Sequence, residues 1–313
     1  MNIIKSAFKR VSVSDIEELF KIDASSYLKS RIRALNLEYH EISQAEHDKL
    51  LTMIVKSLTE GNLIRAGEER RDEWEDGWRE NLGFLRTGQD ISEAIIPKYF
   101  NKYNVVRWDR RFIQPISENF ERSSLAIIVD YIADTYFRHF SSIYEFGCGT
   151  GHNLFSMRSV NTTAKLHGLD WATSSQEIIE SMRSYGVDGN IFGINFDYFH
   201  PNLELNLEGE AGVFTVASLE QIGKRWDKFI DFLIIKKPQI CVHIEPVSEL
   251  LDENVLLDYM SIEYFKKRNY LSGFLAGLRE FEKMNRIEII DERRTYIGSL
   301  FIEGYSIVVW RPL

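Results

Sequence analysis

The chain has 313 residues, 44% hydrophobic and 27% charged, with a formal net charge of −9. That length exceeds what one core usually supports, so two domains, or one domain with a large appendage, are expected. The acidic balance argues against a broad phosphate-binding surface, two cysteines (Cys148 and Cys241) give no disulfide framework or zinc spacing, and no stretch approaches the roughly 20 apolar residues of a membrane span.

The opening "MNIIKSAFKRVSVSD" lacks the apolar core of a signal peptide, so the expected location is the cytoplasm. Residues 1–112 read as a helical cap. Ser14 is the expected N-cap of "DIEELFKIDASSYLKSRIRAL", where Ile16, Leu19, Phe20 and Ile22 keep helical spacing. "SQAEHDKLLTMIVKSLTEG" stops at Glu60-Gly61. "RRDEWEDGWRENLGFL" sets Trp74 and Trp78 four apart on one face, which reads as a packing stripe in preference to a ligand cage. The junction "KYFNKYNVVRWDRRFIQP", residues 98–115, carries Tyr103, Arg107, Trp108, Arg110 and Arg111. It can fold over a site, bind an anionic acceptor, or simply join two domains with its cations in water.

From residue 113 onward the periodicity changes. A helix over roughly 122–139 precedes seven strand candidates: "SIYEFG", "KLHGLD", "NIFGINFD", "GVFTVASL", "QICVHIEP", "IEIIDER" and "SLFIEGYSIVVW". Helices fall between the earlier ones. In "TSSQEIIESMRSYG", Ser174 and Glu177 have capping-box spacing and Gly186 is a stop. Alternating strands and helices imply an α/β, Rossmann-like, doubly wound and mostly parallel sheet over 113–313. The last two strands follow each other directly and are expected to close it as an antiparallel hairpin.

The first strand runs into "YEFGCGTGHN". Glu145 is followed by Gly147, Gly149 and Gly151, with His152 where a dinucleotide fingerprint would have its third glycine. Asp170 closes the second strand, 19 residues after Gly151, just before Trp171. A carboxylate there suits ribose hydroxyls. Asp197 ends the third, flanked by Phe196 and Tyr198, a carboxylate for an amino edge beside rings for stacking.

Over roughly residues 120–313 these motifs resemble the class I S-adenosylmethionine-dependent methyltransferases. "YEFGCGTG" is similar to the family's first motif, "GLDWA" to its second, "INFDYF" to its third, and "VASLEQI" to the stretch after its fourth strand. The resemblance implies S-adenosyl-L-methionine as cofactor and no metal. By position, Glu145 would reach the methionine amino group through water, the three glycines would line the methionine portion, Asp170 would hold the ribose and Asp197 the adenine edge. Apart from the resemblance, an arginine of the 98–115 junction such as Arg107 can fold over the cofactor and pair with its methionine carboxylate. Gln221 departs from the histidine of many relatives, so that histidine's role is not inherited.

Acceptor-side candidates are Glu220, Gln221, His243, Glu245 and His200. His243 and Glu245, two apart on a strand, read equally as a base with its orienter or as a buried histidine satisfied by an acid. Residues 247–268 offer Tyr259, Tyr264 and Phe265 to a lid or to a core. No Pro-Pro-aromatic or Pro-Cys motif marks a DNA-directed enzyme, so the expected acceptor is a small molecule (a sugar, glycan precursor or secondary metabolite), methylated on oxygen, with no nucleic-acid partner and no membrane insertion. A nicotinamide oxidoreductase, a non-catalytic cofactor-binding relative, a protein-directed methyltransferase docking through the N-terminal helices, and homo-oligomerisation remain open alternatives.

Overall fold

A computed structural model describes residues 8–88, 90–100 and 102–313. Seven strands form the main sheet: β1 (Ser142–Phe146), β2 (Lys165–Asp170), β3 (Ile191–Asn195), β4 (Ala211–Val216), β5 (Ile240–Glu245), β6 (Ile287–Arg293) and β7 (Ser306–Pro312). Their order is β3-β2-β1-β4-β5-β7-β6. β1 to β5 run parallel, and β7 lies antiparallel to both β5 and β6. This is the doubly wound sheet with an antiparallel closing hairpin read from the sequence.

The alternation of side chains divides the core between the two faces. Ile143, Leu166, Phe214, Val242 and Ile307 pack on one face, under the helices Phe120–Tyr136, Leu154–Val160 and Thr173–Ser184. Tyr144, Phe146, Leu169, Val213 and Trp310 pack on the other with the helices Asp227–Lys236 and Phe274–Lys283. Every residue of β1, β4 and β5 is buried, as strands covered on both faces require. Each fully buried aromatic there contributes about 1.5–3 kcal/mol of transfer free energy.

The N-terminal part differs from its sequence reading. It holds the helices Val13–Phe20, Ser26–Ala34, Gln44–Thr59 and Arg71–Arg86. It also contributes to a second, five-stranded sheet, which straddles the boundary read at residue 112: Lys9–Arg10, Glu38–Glu41, Arg111–Pro115, Val106–Trp108 and Ile297–Gly298, in that order. These strands are too short for a legible period, and the last comes from the far end of the chain, pairing Ile297 with Trp108. Ser12 rather than Ser14 caps the first helix, in a capping box with Asp15. The Ser174–Glu177 box does not form. Glu177 pairs with Arg86, and the Ser174 amide donates instead to Glu75 Oε1 on the Arg71–Arg86 helix at 3.3 Å. "SLFIEGYSIVVW" is a strand only from Ser306; Leu300 and Phe301 enter a third core with Ile54, Phe112, Tyr264 and Phe265.

Candidate functional site

Sheet order reverses between β1 and β4, and the carboxyl ends of those strands open a cleft there. The cleft is lined by Gly147, Gly149, Asp170, Trp171, Phe196 and Tyr198 from the strand ends, and by Trp74, Trp78 and Tyr99 from the cap. It is narrow, about 80 Å³. A second cavity of about 350 Å³ adjoins it, and Trp74, Tyr99, Ala217 and Gln221 line both.

The glycine loop turns sharply at positive φ: 69° at Gly147, 53° at Gly149 and 75° at Gly151. At the first two, space is also lacking. A Cβ on Gly147 would sit 2.3 Å from the Ser218 Cβ, and one on Gly149 2.7 Å from the Trp78 ring. These glycines are therefore required by the protein's own packing.

Glu145 is fully buried under this loop. Asn153 Nδ2 donates to its Oε1 at 2.7 Å, while Oε2 has no hydrogen-bond partner among the described residues. Burial pushes its carboxyl up to about 8, against the lowering effect of Asn153. Glu145 does not itself line the cleft, but Asn153, which bonds it, does, and an unsatisfied buried oxygen one residue behind that wall suits a donor group from a ligand. Asp170 accepts from the Gly149 and Ala172 amides, each at 2.9 Å, and burial raises it to about 6 despite those bonds. It ties the glycine loop to the end of β2 and lines the cleft. The cleft thus sets hydrogen-bond acceptors at the strand ends beside aromatic walls.

Asp197 lies just off the cleft lining. Its carboxylate is paired with Arg71, whose guanidinium stacks 4.8 Å from the Trp171 ring centroid, and it also accepts from the Phe199 amide at 2.8 Å. To meet an adenine amino group it must release Arg71. His200 is exposed, 3.5 Å from the Asp197 carboxylate, and stays outside the cleft.

Three other candidates fall elsewhere. Arg107 is buried away from the cleft, donating to the carbonyls of Leu257 (2.9 Å), Leu300 (3.3 Å) and Phe301 (2.9 Å) and to Ser261 Oγ (2.6 Å). It clamps the small sheet to the Leu256–Arg268 helix and has no line to a cofactor carboxylate. His243 is fully buried between β4 and β7. Its Nε2 accepts from Trp310 Nε1 at 2.9 Å and its Nδ1 meets Thr215 Oγ1 at 3.0 Å, so the ring is neutral and burial lowers it to about 3. Glu245 is not its orienter. It accepts from the amides of Ser218, Leu219 and Glu220 at 3.1, 3.1 and 3.3 Å, fixing the turn after β4. His243 is buried, as the second reading had it, but Trp310 and Thr215 satisfy it in place of an acid.

Glu220, carried on that turn, does face the second cavity. Gln221 Nε2 donates to it at 2.8 Å and accepts at Oε1 from Arg70 Nη1 at 3.1 Å. Burial, reinforced by Glu245, raises Glu220 to about 8.

The tryptophans carry more than packing. Trp74 and Trp78 stack with centroids 5.6 Å apart, and both wall the cleft while belonging to the core. Tyr99 leaves 46% of its surface exposed, and it lines both cavities. A repeat of tryptophans at i and i+4 suits either role, so nothing in the sequence singles them out. His152 also lines the cleft, with Nδ1 3.3 Å from Thr150 Oγ1 and Nε2 unpartnered among the described residues.

No protein-family model and no curated protein matches the chain. Solved structures resemble it distantly. They include the [4+2]-cyclase SpnF, at 13% identity over 80% of this chain and 97% of that one, with a TM-score of 0.48. Magnesium protoporphyrin IX methyltransferase (ChlM) from Synechocystis PCC 6803, with bound SAH, matches at 13% identity over 74% and 96%, TM-score 0.48. An O-methyltransferase (NcsB1) from neocarzinostatin biosynthesis, in complex with S-adenosylmethionine and 2-hydroxy-5-methyl naphthoic acid, matches at 15% identity over 77% and 70%, TM-score 0.43. Likeness at this level carries nothing about ligand or substrate, which rest on the residues of the two cavities.

Proposed function

We propose that the chain is a methyltransferase that binds S-adenosylmethionine in the cleft and methylates a hydroxyl of a small molecule held in the adjoining cavity. The observation that carries this reading is the half-satisfied, fully buried Glu145 behind the glycine turn, a turn that Asp170 at the next strand end ties down through the Gly149 amide. Glu145 would accept from the cofactor's amino group, Asp170 from its ribose hydroxyls, and Trp171, Phe196 and Tyr198 would flank the base. Bound there, S-adenosylmethionine supplies an electrophilic methyl group whose departing C–S electron pair stays on sulfur.

Glu220 is the group positioned to take the acceptor's hydroxyl proton, once it has lost its own. A positioned base of this kind contributes roughly 10²–10⁴-fold in rate. Trp74 and Tyr99, standing where the cavities meet, would orient the acceptor and exclude water. The cavity's volume lies near the lower end of the roughly 300–1,000 Å³ usual for small-molecule sites, which supports a sugar, glycan precursor or other metabolite over a protein acceptor.

Incubation with S-adenosylmethionine carrying an isotopic methyl group and a panel of hydroxylated metabolites tests the proposal. Label recovered as a methyl ether in a Glu220-dependent manner is expected. Transfer to nitrogen or carbon acceptors, or to none while nicotinamide turns over, refutes it.

A further inference from the structure

Arg268 ends the Leu256–Arg268 helix and lines the larger cavity. Its Nε is buried and has no hydrogen-bond partner among the described residues. Tyr264 and Tyr270 hold the guanidinium in place, their ring centroids 5.8 and 5.0 Å from it. Aromatic faces fix its position but offer no hydrogen-bond acceptor to that N–H.

The other charges around the cavity do not neutralise it. Arg70 is held by Glu73 at 2.8 Å and by Gln221. Lys102 sits over Tyr103. Glu121 lines the wall as well. Glu220 interacts electrostatically with Arg268, and burial raises its carboxyl to about 8. A partly buried guanidinium without a full counter-charge is costly, and an incoming anion removes that cost while gaining a charge-assisted hydrogen bond.

We propose that the acceptor is a cyclic hydroxy acid whose carboxylate is read by Arg268. The inference rests on the larger cavity being the acceptor site. A carboxylate matches the unpartnered Nε–H and the neighbouring phenols. The aromatic walls, including Trp74, Tyr99 and Phe301, favour a ring. Aromatic hydroxy acids and uronic acids share this chemistry.

Calorimetry on the full chain saturated with S-adenosylhomocysteine separates these possibilities without requiring turnover. Hydroxybenzoates, hydroxynaphthoates and glucuronate are each titrated beside their primary amides. The acids are expected to bind about 10- to 100-fold more tightly than the amides, the span of a charge-assisted hydrogen bond. Arg268→Gln should erase that contrast, and Arg268→Lys should restore part of it; unchanged affinity for S-adenosylhomocysteine in both variants shows that they are folded. Whichever ring type shows the contrast identifies the source. Amides that bind as well as acids, a contrast that survives Arg268→Gln, or no binding by any acid overturns the inference. Failure of the methyl-transfer reading looks different: the acids bind with the Arg268-dependent contrast, yet S-adenosylmethionine yields no methylated product.

Discussion

Glu145 gives the sharpest consequence of the cleft's electrostatics. In the empty protein its carboxyl sits at about 8 because it is buried and only half hydrogen-bonded. An ammonium group bound at Oε2 holds it ionised, with a bound-state value below about 5. Affinity for the cofactor then scales with the ionised fraction of free Glu145, about one half at pH 8 and about one hundredth at pH 6, a loss near 50-fold or about 2.3 kcal/mol. S-adenosylhomocysteine is the suitable probe, since it keeps the ammonium and lacks the sulfonium. Calorimetry in buffers of different ionisation heat should record close to one proton released per ligand near pH 6.5. Glu145→Gln removes this slope above pH 6, leaving only the weaker dependence from Asp170, which lies at about 6. The same shift acts on stability with the opposite benefit. A carboxyl raised in the folded state stabilises the fold fully below its unfolded value of about 4.5 and loses that contribution as pH rises through its folded value, so the empty protein should melt progressively lower between pH 5 and 8, and Glu145→Gln less so. An affinity that is flat from pH 6 to 8, or a slope that survives in Glu145→Gln, refutes the placement of the amino group at Glu145.

Other consequences follow from the same geometry. Turnover should rise with pH toward about 8 as Glu220 loses its proton, and Glu220→Gln should lower kcat by roughly 10²–10⁴-fold with cofactor affinity unchanged; a smaller loss removes Glu220 as base. His243→Leu leaves Trp310 Nε1 and Thr215 Oγ1 unpaired, so thermal denaturation should show a loss of about 1–3 kcal/mol for each, while cofactor affinity holds within twofold. A catalytic defect without destabilisation would place His243 in the chemistry after all. Gly149→Ala forces a side chain into left-handed backbone against the Trp78 ring and should cost about 1–3 kcal/mol of stability together with most cofactor binding, both read by calorimetry.

The main sheet was legible because two-sided burial writes itself into sequence. "SIYEFG" and "QICVHIEP" are mostly apolar runs buried along their whole strands, and "KLHGLD" coincides with β2 residue for residue. The glycines and strand-end carboxylates were legible for the same local reason. What remained hidden depends on contacts far apart in the chain. The small sheet joins Lys9–Arg10, Glu38–Glu41 and Ile297–Gly298, segments of two to four residues that carry no period. The partners of Arg107, the carbonyls of residues 257, 300 and 301, lie far along the chain and leave no local trace. His243 and Glu245 share a strand face, yet each is satisfied by a different partner, which spacing alone does not reveal. Ser174 has the right residue three positions on, but Glu75 from another helix occupies the amide that the box would have used.

The most direct test of the central reading is equilibrium binding of S-adenosylhomocysteine to the wild-type chain and to Asp170→Ala, with NADH as control. The account predicts micromolar affinity, about −8 kcal/mol, abolished by the substitution, with NADH silent. Binding of NADH, or binding of S-adenosylhomocysteine that is indifferent to Asp170, would contradict it.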